Sequence, residues 1–375
     1  MRYYIIAGEA SGDLHASNLM SELKKVDSSA QFRCWGGDLM QKQGGELVKH
    51  YRDLAFMGFI EVLANLKTIL GNIKFCKKDI DTFKPDAIIL IDYPGFNLRI
   101  AEYAHQKGLK VFYYISPQVW AWHQSRVKKM KQVIDHLFVI LPFEKEFFKE
   151  HQMEVDFVGH PLLDAIDNHS VNSLNDVNVF KETIAVSNKP IIALLPGSRK
   201  QEIKTVLPIM LSIVDAYPAY KFIIAGVNSQ SKQFYKEIIG EKPVEIVYNQ
   251  TYNLLQTAKA ALVTSGTATL ETALFGVPQV VCYKGSVISF AIAKRFVKVK
   301  YISLVNLIMD KQIVTELIQN DLTTNRLKEE FEKITLNNEY LSHLREDYND
   351  LKIKLGGKGA SANTAKLITA YLTKK

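Results

Sequence analysis

Ten short apolar runs, each long enough for one strand, alternate along this chain with segments of helical periodicity. The runs cover residues 3–7, 87–92, 110–115, 136–141 and 155–158 in the first half and 191–195, 221–225, 245–248, 260–263 and 279–283 in the second. Continuous apolar strands separated by helices are typical of parallel sheets that are covered on both faces. The pattern predicts two doubly wound, Rossmann-like α/β domains, followed by a helical tail that starts near Asn325.

The two predicted domains are separated by a polar stretch. We predict an N-terminal domain over residues 1–165, a linker over 166–189 and a second domain over 190–340. Residues 341–375 are expected to form helices that pack back on an N-terminal domain, either their own or that of a second copy. Because ligands bind beyond the carboxyl ends of the strands in open α/β sheets, we expect the two domains to face a cleft and to hold one substrate each.

The composition is that of a globular protein with a basic excess. Of 375 residues, 47% are apolar and 23% are charged, and the net charge is +8. This charge fits an anionic substrate, an anionic membrane surface or nucleic acid, and it does not choose among them. No recognisable nucleic-acid-binding module accompanies it, so no nucleic-acid partner is expected.

Cysteine usage and hydropathy indicate a cytoplasmic protein. Cys34, Cys76 and Cys282 are far apart and show no CxxC spacing, which favours free thiols in a reducing compartment. Neither a signal peptide nor a run of 18 uncharged apolar residues is seen, so neither export nor a membrane span is expected. The sequence shows no metal-ligand cluster, and we predict neither a metal site nor a cofactor.

The second half contains two glycine turns, each of which follows a predicted strand and opens a helix. Residues 195–199 read LPGSR, and residues 265–271 read SGTATLE. Such turns direct free backbone N–H groups at one point, which suits a phosphate, although similar turns also start helices that bind nothing. An arginine can pair with a phosphoryl group, and a glutamate can accept hydrogen bonds from ribose hydroxyls. The predicted contacts to a nucleotide diphosphate, held without an obligatory metal, are Ser198, Arg199, Ser265, Gly266, Thr267 and Glu271.

A third glycine turn follows the first strand. Residues 8–13 read GEASGD, in which Gly8 and Gly12 permit a tight turn. The acidic Glu9 and Asp13 suit a sugar hydroxyl better than a phosphate, and we include Gly12 among the substrate-binding positions. The alternative is an ordinary strand-to-helix loop.

Two further polar residues stand at the ends of predicted strands. Asp92 closes the run 87–92 before a proline-glycine turn, where a carboxylate is placed to act as a general base or only to cap a helix. His160 follows the run 155–158, where it either contacts a phosphate, transfers a proton or has a structural role.

Apolar and aromatic residues near basic ones predict contact with lipid. Trp120 and Trp122 lie two positions apart and either bind a sugar or acyl chain or pack two elements together. Basic amphipathic stretches start at residue 56 and at residue 287, which is typical of segments that lie in a membrane interface, of buried helices or of a dimer face. The predicted lipid-facing residues of the first stretch are Phe56, Met57, Phe59, Ile60 and Leu63.

Eight motifs in this order resemble those of the bacterial lipid-A-disaccharide synthase family. They occupy residues 8–13, 57–63, 91–97, 116–122, 141–144, 159–161, 195–199 and 265–271, and the resemblance covers about residues 3–310. It implies an inverting glycosyltransferase of the GT-B fold. The enzyme would transfer 2,3-diacylglucosamine from UDP to the 6-hydroxyl of 2,3-diacylglucosamine 1-phosphate (lipid X), giving a β-1,6 disaccharide and UDP.

The resemblance also implies roles for individual residues. The catalytic base would be Asp92, the essential acidic residue of the first loop Glu9, and the UDP contacts Arg199 and Glu271. An asparagine of the family matches Asn306, although Val305 stands where a proline is expected. The N-terminal domain would bind the acceptor and the second domain the UDP-sugar.

The same resemblance implies a peripheral protein on the cytoplasmic face of the inner membrane, and a homodimer that exchanges carboxy-terminal segments. Two alternatives remain open at this point: another GT-B UDP-sugar transferase or a UDP-sugar epimerase, and a non-catalytic nucleotide-binding protein of the membrane surface. A non-catalytic nucleotide-binding protein would bind UDP but release none when given both sugars.

Overall fold

A computed structural model of the protein describes residues 1–54, 66–172, 180, 189–286 and 299–373. The chain divides into two compact units. The first consists of Met1–Asp164 and Leu355–Lys375, and the second of Ala165–Lys354.

The first unit is built on a seven-stranded parallel sheet. Its strands are β1 (Arg2–Ala7), β2 (Gln31–Gly36), β3 (Glu46–His50), β4 (Ala87–Ile91), β5 (Lys110–Tyr114), β6 (His136–Val139) and β7 (Asp156–Phe157). The strand order is β3-β2-β1-β4-β5-β6-β7. Its helices are α1 (Ala10–Val26), α2 (Asp38–Lys42), α3 (Leu66–Phe83), α4 (Pro94–Gln106), α5 (Arg126–Val133) and α6 (Glu144–Glu150), and α7 (Pro161–Asn172) crosses the boundary between the units.

The central strands of this sheet are buried on both faces. All five residues of β4 are inaccessible to solvent, because apolar side chains cover each side of the strand. On one face Tyr4 and Ile6 pack in a core with residues of α3, α4 and α5. On the other face Tyr3 and Ile5 pack in a core that includes residues of α1. A parallel sheet covered in this way is the doubly wound arrangement.

The second unit has a six-stranded parallel sheet. Its strands are β8 (Ile191–Leu195), β9 (Lys221–Gly226), β10 (Val244–Tyr248), β11 (Ala258–Thr264), β12 (Gln279–Tyr283) and β13 (Thr315–Ile318). The strand order is β10-β9-β8-β11-β12-β13. Its helices are α8 (Lys200–Leu211), α9 (Lys232–Ile239), α10 (Thr251–Thr257), α11 (Thr267–Leu274), α12 (Leu304–Met309), α13 (Thr324–Leu336) and α14 (Asn338–Lys354).

The last helices of the chain are divided between the units. Tyr348 of α14 is buried and donates a hydrogen bond to the carbonyl of Val277, 3.2 Å away, which anchors α14 in the second unit. The final helix, α15 (Ala360–Thr373), belongs to the first unit, where it packs against α1. The carboxylate of Asp164 accepts from the N–H groups of Gly359 (2.6 Å) and Ser361 (3.1 Å) at the start of α15. Residues 341–354 are thus grouped with the second unit, whereas the sequence analysis grouped them with the tail.

The predicted fold class is confirmed: two doubly wound parallel α/β domains and a helical tail. All ten predicted strands are present, but β2, β3 and β13 were missed. β3 and β13 are edge strands whose residues are mostly half-exposed, and β2 contains the charged Arg33, so none of the three gives a continuous apolar run. None of the helices in the described ranges combines the length and hydropathy of a bilayer-spanning segment.

Candidate active site

The loops that follow β1 and β4 emerge side by side from the first sheet. Ala7, the last residue of β1, pairs with Ile91, the last residue of β4. The next residues are therefore the Gly8–Glu9 turn on one strand and Asp92 on its neighbour. The structure brings together two of the predicted catalytic residues, Glu9 and Asp92.

Asp92 has a left-handed backbone. Its φ is +44°, that of Tyr93 is +49°, and Ile115 at the end of the adjacent strand β5 has a φ of +65°. Positive φ is strained in residues other than glycine, above all in a β-branched one, and it persists where surrounding contacts enforce it. Three such residues at neighbouring strand ends indicate that this edge of the sheet is built to hold a particular geometry.

Two buried side chains hold the main chain of Asp92 in this conformation. The amide of Asn97 donates to the carbonyl oxygens of Asp92 (2.8 Å) and Ile91 (3.2 Å). The hydroxyl of Tyr113 on β5 donates to the same Asp92 carbonyl. Because these bonds use the backbone of Asp92, they fix its position without occupying its carboxylate.

Tyr93 packs directly against Gly8. A Cβ atom added to Gly8 would overlap the Tyr93 ring, so only glycine fits at this position. The Tyr93 hydroxyl donates to the carbonyl of Leu54, 3.3 Å away, at the end of the described segment 1–54. Tyr93 thus holds the Glu9 turn close to the Asp92 loop.

The surroundings of Asp92 suit a general base. Burial, together with the negative charge of Glu9, raises the pKa of its carboxyl group to about 6. At neutral pH the group is therefore ionised, but it binds a proton more readily than an ordinary aspartate. A carboxylate of this kind can take the proton of a sugar hydroxyl as the hydroxyl attacks.

The two tryptophans of the loop after β5 differ in exposure. Trp120 is buried and packs edge-on against Phe143, with 4.9 Å between ring centroids. Trp122 is 50% exposed, and the Arg126 guanidinium lies 5.8 Å from its ring centroid. Trp122 is the better placed of the two for contact with an acyl chain.

His160 is buried in the first unit. Its Nδ1 accepts from the backbone N–H of Leu162, 3.2 Å away. Burial, with a contribution from neighbouring His15, lowers the pKa of His160 to about 3. A histidine that stays neutral down to this pH is poorly matched to proton transfer near pH 7, and the contacts favour a structural role.

In the second unit, the two predicted phosphate-binding turns leave adjacent strands. Leu195, at the end of β8, pairs with Val263 of β11, so residues 196–199 lie beside residues 265–267. Gly197 has a φ of +95°, which favours glycine. Ser198 is exposed, and Arg199 immediately precedes α8 with its side chain 67% exposed. The Arg199 Nη1 donates to Oε1 of Glu202 at 3.1 Å.

The second turn opens helix α11 at Thr267. Gly266 and Thr267 are exposed, so the first N–H groups of the helix face solvent. The hydroxyl of Ser265 donates to the carbonyl of Ile302, 2.8 Å away, which ties this turn to the segment before α12. Glu271 accepts from the hydroxyl of Tyr252 at 2.9 Å, and burial raises the pKa of its carboxyl group.

Asn306 is fully hydrogen-bonded within the second unit. Its side-chain N–H groups donate to the carbonyl of Val314 and to the carboxylate of Glu316, each at 2.9 Å. Its Oδ1 accepts from the backbone N–H groups of Ile313 (2.8 Å) and Val314 (3.0 Å). With both amide hydrogens and its oxygen engaged, Asn306 positions the turn before β13, and its contact with UDP stays a prediction.

The family model described as lipid-A-disaccharide synthetase matches residues 3–370. The chain belongs to the lipid-A-disaccharide synthase family. It is therefore a glycosyltransferase that makes the lipid A disaccharide from nucleotide-sugar and lipid substrates.

Relatives in this family are similar over almost their whole length. The lipid-A-disaccharide synthase of Syntrophus aciditrophicus is 37% identical over 377 residues, which covers 99% of this chain and 97% of the relative. That of Trichlorobacter lovleyi is 35% identical over 382 residues, with 99% and 97% covered.

Solved structures with little sequence similarity share the fold. The UDP-GlcNAc 2-epimerase of Neisseria meningitidis, bound to UDP-GlcNAc, has a TM-score of 0.68 at 14% identity, with 100% of both chains covered. A calicheamicin glycosyltransferase has a TM-score of 0.61 at 15% identity, with 100% of this chain and 98% of the other covered. These neighbours place the chain in the GT-B fold.

Several predicted residues lie outside the described part of the chain. They are Phe56, Met57, Phe59, Ile60 and Leu63, together with most of the second basic stretch, residues 287–298. Gly12 is described: it is buried in the first turn of α1, next to Ala7. Asp13 accepts from the N–H groups of Gly37, Leu39 and Met40, and so caps α2.

Sequence reasoning missed residues that position Asp92. Tyr93 and Asn97 lie in the motif 91–97, but their roles depend on contacts with Gly8 and with the ends of two strands. Tyr113 stands in an apolar run and gave no polar signal. Among the described residues, no group of three or more His, Cys, Asp or Glu is arranged to hold a metal ion.

Proposed function

We propose that the protein transfers 2,3-diacylglucosamine from UDP to the 6-hydroxyl of 2,3-diacylglucosamine 1-phosphate, with inversion at the anomeric carbon. The observation that carries this proposal is Asp92, a carboxylate fixed at the end of β4 with its pKa raised to about 6 by burial and by Glu9. The basic net charge of +8 is consistent with two anionic substrates.

In the proposed reaction, Asp92 removes the proton of the acceptor hydroxyl. The oxygen lone pair then forms the bond to the anomeric carbon while the bond from that carbon to the β-phosphate oxygen breaks, and UDP leaves with the electron pair. Attack from the side opposite to the leaving group inverts the configuration and gives a β-1,6 linkage. Glu9 favours the protonated form of Asp92 electrostatically and is available to bind an acceptor hydroxyl.

We assign UDP to the second unit. Negative charge builds on the β-phosphate as the bond breaks, and preorganised donors stabilise it there. The donors are the Arg199 guanidinium and the exposed first N–H groups of α11 at Thr267, with Ser198 and Gly266 lining the turns. Glu271 is assigned to the ribose hydroxyls.

A direct assay tests the activity. The purified protein is incubated with UDP-2,3-diacylglucosamine and lipid X, and the products are analysed by mass spectrometry. A disaccharide 1-phosphate and one UDP per disaccharide are expected. Interconversion of the UDP-sugar with no disaccharide would indicate an epimerase, and UDP binding with no turnover would indicate a binding protein.

Arg199→Ala is expected to weaken UDP binding by about 10- to 100-fold, the range for loss of a hydrogen bond to a charged group. Isothermal titration with UDP measures this. Lys200→Ala is the matched control, because it removes the same charge one position later, where the Lys200 Nζ lies 5.6 Å from the Phe234 ring centroid. Unchanged UDP affinity in the Arg199 variant would remove this arginine from the site.

We also propose that α3 contacts the cytoplasmic surface of the inner membrane. Leu66 and Leu70 lie one helical turn apart and are 44% and 52% exposed. Exposed lysines of the same helix, including Lys67 and Lys74, would face the anionic lipid headgroups. In the sequence, helix α3 follows the apolar stretch 56–63, which was predicted to face lipid.

Replacing both leucines by glutamate is expected to lower binding to phosphatidylglycerol-containing vesicles by at least about tenfold, because it removes apolar burial and adds repulsion. Co-sedimentation with vesicles measures the binding. Ile353→Glu in the second unit is the control, since Ile353 is 76% exposed and belongs to no proposed lipid surface. Equal loss of vesicle binding in the double-leucine variant and in Ile353→Glu would contradict the placement of α3 at the membrane. No loss of binding in either variant would contradict it as well.

A homodimer with exchanged tails is the remaining part of the proposal. Within one chain, α15 already packs on α1 and is capped by Asp164. An exchange between two copies would reproduce the same contacts with the partner's helix, so it needs no new interface chemistry.

A further inference from the structure

Glu144 is a buried acid that none of the roles above uses. It opens helix α6, directly after β6, and is only 1% exposed. Its Oε2 accepts from the backbone N–H groups of Ile140 (3.2 Å) and Leu141 (2.9 Å). Its own N–H donates to the carbonyl of Leu141 at 3.1 Å. The side chain therefore closes the turn between β6 and α6.

This turn lies at the same edge of the sheet as Asp92. Strand β5 pairs with β4 on one side and with β6 on the other, so Asp92, the Trp120 loop and the Glu144 turn follow three neighbouring strands. The charge of Asp92 reaches the Glu144 carboxyl group. The two acids therefore share one electrostatic environment.

Trp120 connects Glu144 to the loop after β5. Its indole N–H is buried and interacts with the Glu144 carboxyl group, but within the described residues it makes no hydrogen bond of good geometry. Its ring packs edge-on against Phe143, the residue before Glu144. A buried N–H group without a well-formed hydrogen bond is costly. A small movement of the Trp120 loop would complete the hydrogen bond from this N–H to the Glu144 carboxyl group.

We propose that Glu144 is a positioning residue for the acceptor: its buried carboxyl group holds the Trp120 loop beside Asp92 in the arrangement that binds the acceptor sugar. This inference rests on the proposed role of Asp92 as the base.

The charge state of Glu144 follows from its surroundings. The pKa of Glu144 is raised to about 8: burial is the main cause, the two backbone hydrogen bonds and the Trp120 indole N–H oppose the rise, and the negative charge of Asp92 adds to it. The charged residues that follow Glu144 on α6, Lys145 and Glu146, are exposed to solvent. Near pH 7 Glu144 is thus uncharged. At higher pH it ionises close to the base, where a second negative charge disturbs the acceptor site.

Glu144→Gln and Glu144→Leu separate this role from others. Glutamine is uncharged at every pH, and its amide oxygen can accept the same two backbone N–H bonds, whereas leucine leaves those N–H groups unpaired. At pH 7 we expect Glu144→Gln to keep kcat and KM within about threefold of the unsubstituted enzyme. Glu144→Leu should raise the KM for lipid X about tenfold, which is the usual cost of leaving one buried hydrogen-bond donor unpaired. The KM for the UDP-sugar should stay unchanged.

The pH profile is the second measurement. The unsubstituted enzyme should lose activity above about pH 8, and Glu144→Gln should keep its activity there. Glu146→Gln and Glu146→Leu are the matched controls, because Glu146 lies on the same helix with its side chain exposed. Thermal unfolding shows whether a variant folds. If Glu144→Leu fails to fold, the pH profile of the Glu144→Gln enzyme alone tests the proposal.

Three results would overturn the inference: a Glu144→Gln enzyme as defective at pH 7 as Glu144→Leu, unchanged alkaline behaviour in Glu144→Gln, or an equal rise in both KM values in Glu144→Leu. Failure of the proposed function looks different. In that case the unsubstituted enzyme makes no disaccharide, or Asp92→Asn remains active.

Discussion

Asp92→Asn is expected to lower kcat for disaccharide formation by roughly 10²–10⁴-fold, the usual contribution of a general base. Asparagine cannot accept the hydroxyl proton, but it tolerates the left-handed backbone that Asp92 adopts, with φ at +44°. The backbone bonds from Asn97 and Tyr113 to the Asp92 carbonyl do not depend on the side chain. The substitution therefore removes the carboxylate and preserves the geometry around it.

Two measurements decide whether Asp92 is the base. UDP affinity should stay unchanged, because the proposed UDP contacts belong to the second unit; a loss of UDP affinity equal to the loss of turnover would indicate a structural role. In the unsubstituted enzyme the rate should fall as the pH drops through about 6, because burial and Glu9 place the pKa of Asp92 there and the protonated form cannot accept a proton. A rate that stays constant down to pH 4 would contradict the assignment.

Gly8→Ala is expected to lower kcat/KM by about 100-fold without unfolding the protein. The added methyl group would overlap the Tyr93 ring, and Tyr93 is adjacent to Asp92 in a strained pair of left-handed residues. Moving Tyr93 therefore moves the carboxylate relative to Glu9, and a displacement of about 1 Å at a reacting group can cost two orders of magnitude.

Gly95→Ala is the matched control for Gly8→Ala. Gly95 lies in the first turn of α4, near Asp92, but an added Cβ there would meet nothing within 4 Å. Alanine also favours the helix more than glycine does. Steady-state kinetics and thermal unfolding of both variants are the measurements. Equal activity in the two variants would show that the contact between Gly8 and Tyr93 does not position Asp92.

Much of this fold follows from local sequence. Runs such as residues 87–91 are apolar at every position, and only a strand covered on both faces buries all of them. Edge strands lack this signal: β3, with the sequence ELVKH, alternates too weakly to be recognised, and contacts with β2 determine its conformation. The family was also recognisable, because eight short motifs occur in a fixed order.

The placement of functional groups at strand ends was predictable for the same reason. Asp92 follows an apolar strand of the first sheet, and Arg199 and Thr267 follow adjacent apolar strands of the second; within each parallel sheet, the carboxyl ends of the strands share one edge. What the sequence analysis did not predict is how each group is used. Asn306 and His160 are polar residues in recognisable motifs, yet the side chain of the first bonds to backbone groups and to Glu316, and the second is buried and neutral.

The sequence by itself determined the ten apolar strands, the family and the positions of the glycine turns, because these depend on residue types that are neighbours in the chain. Only the tertiary structure decided that the Tyr93 ring leaves no space for a side chain at position 8. It also decided that α14 belongs to the second unit and that Glu144 is buried near Asp92. Packing, desolvation and charge interactions act between residues that are distant in sequence, and they become defined only when the chain has folded.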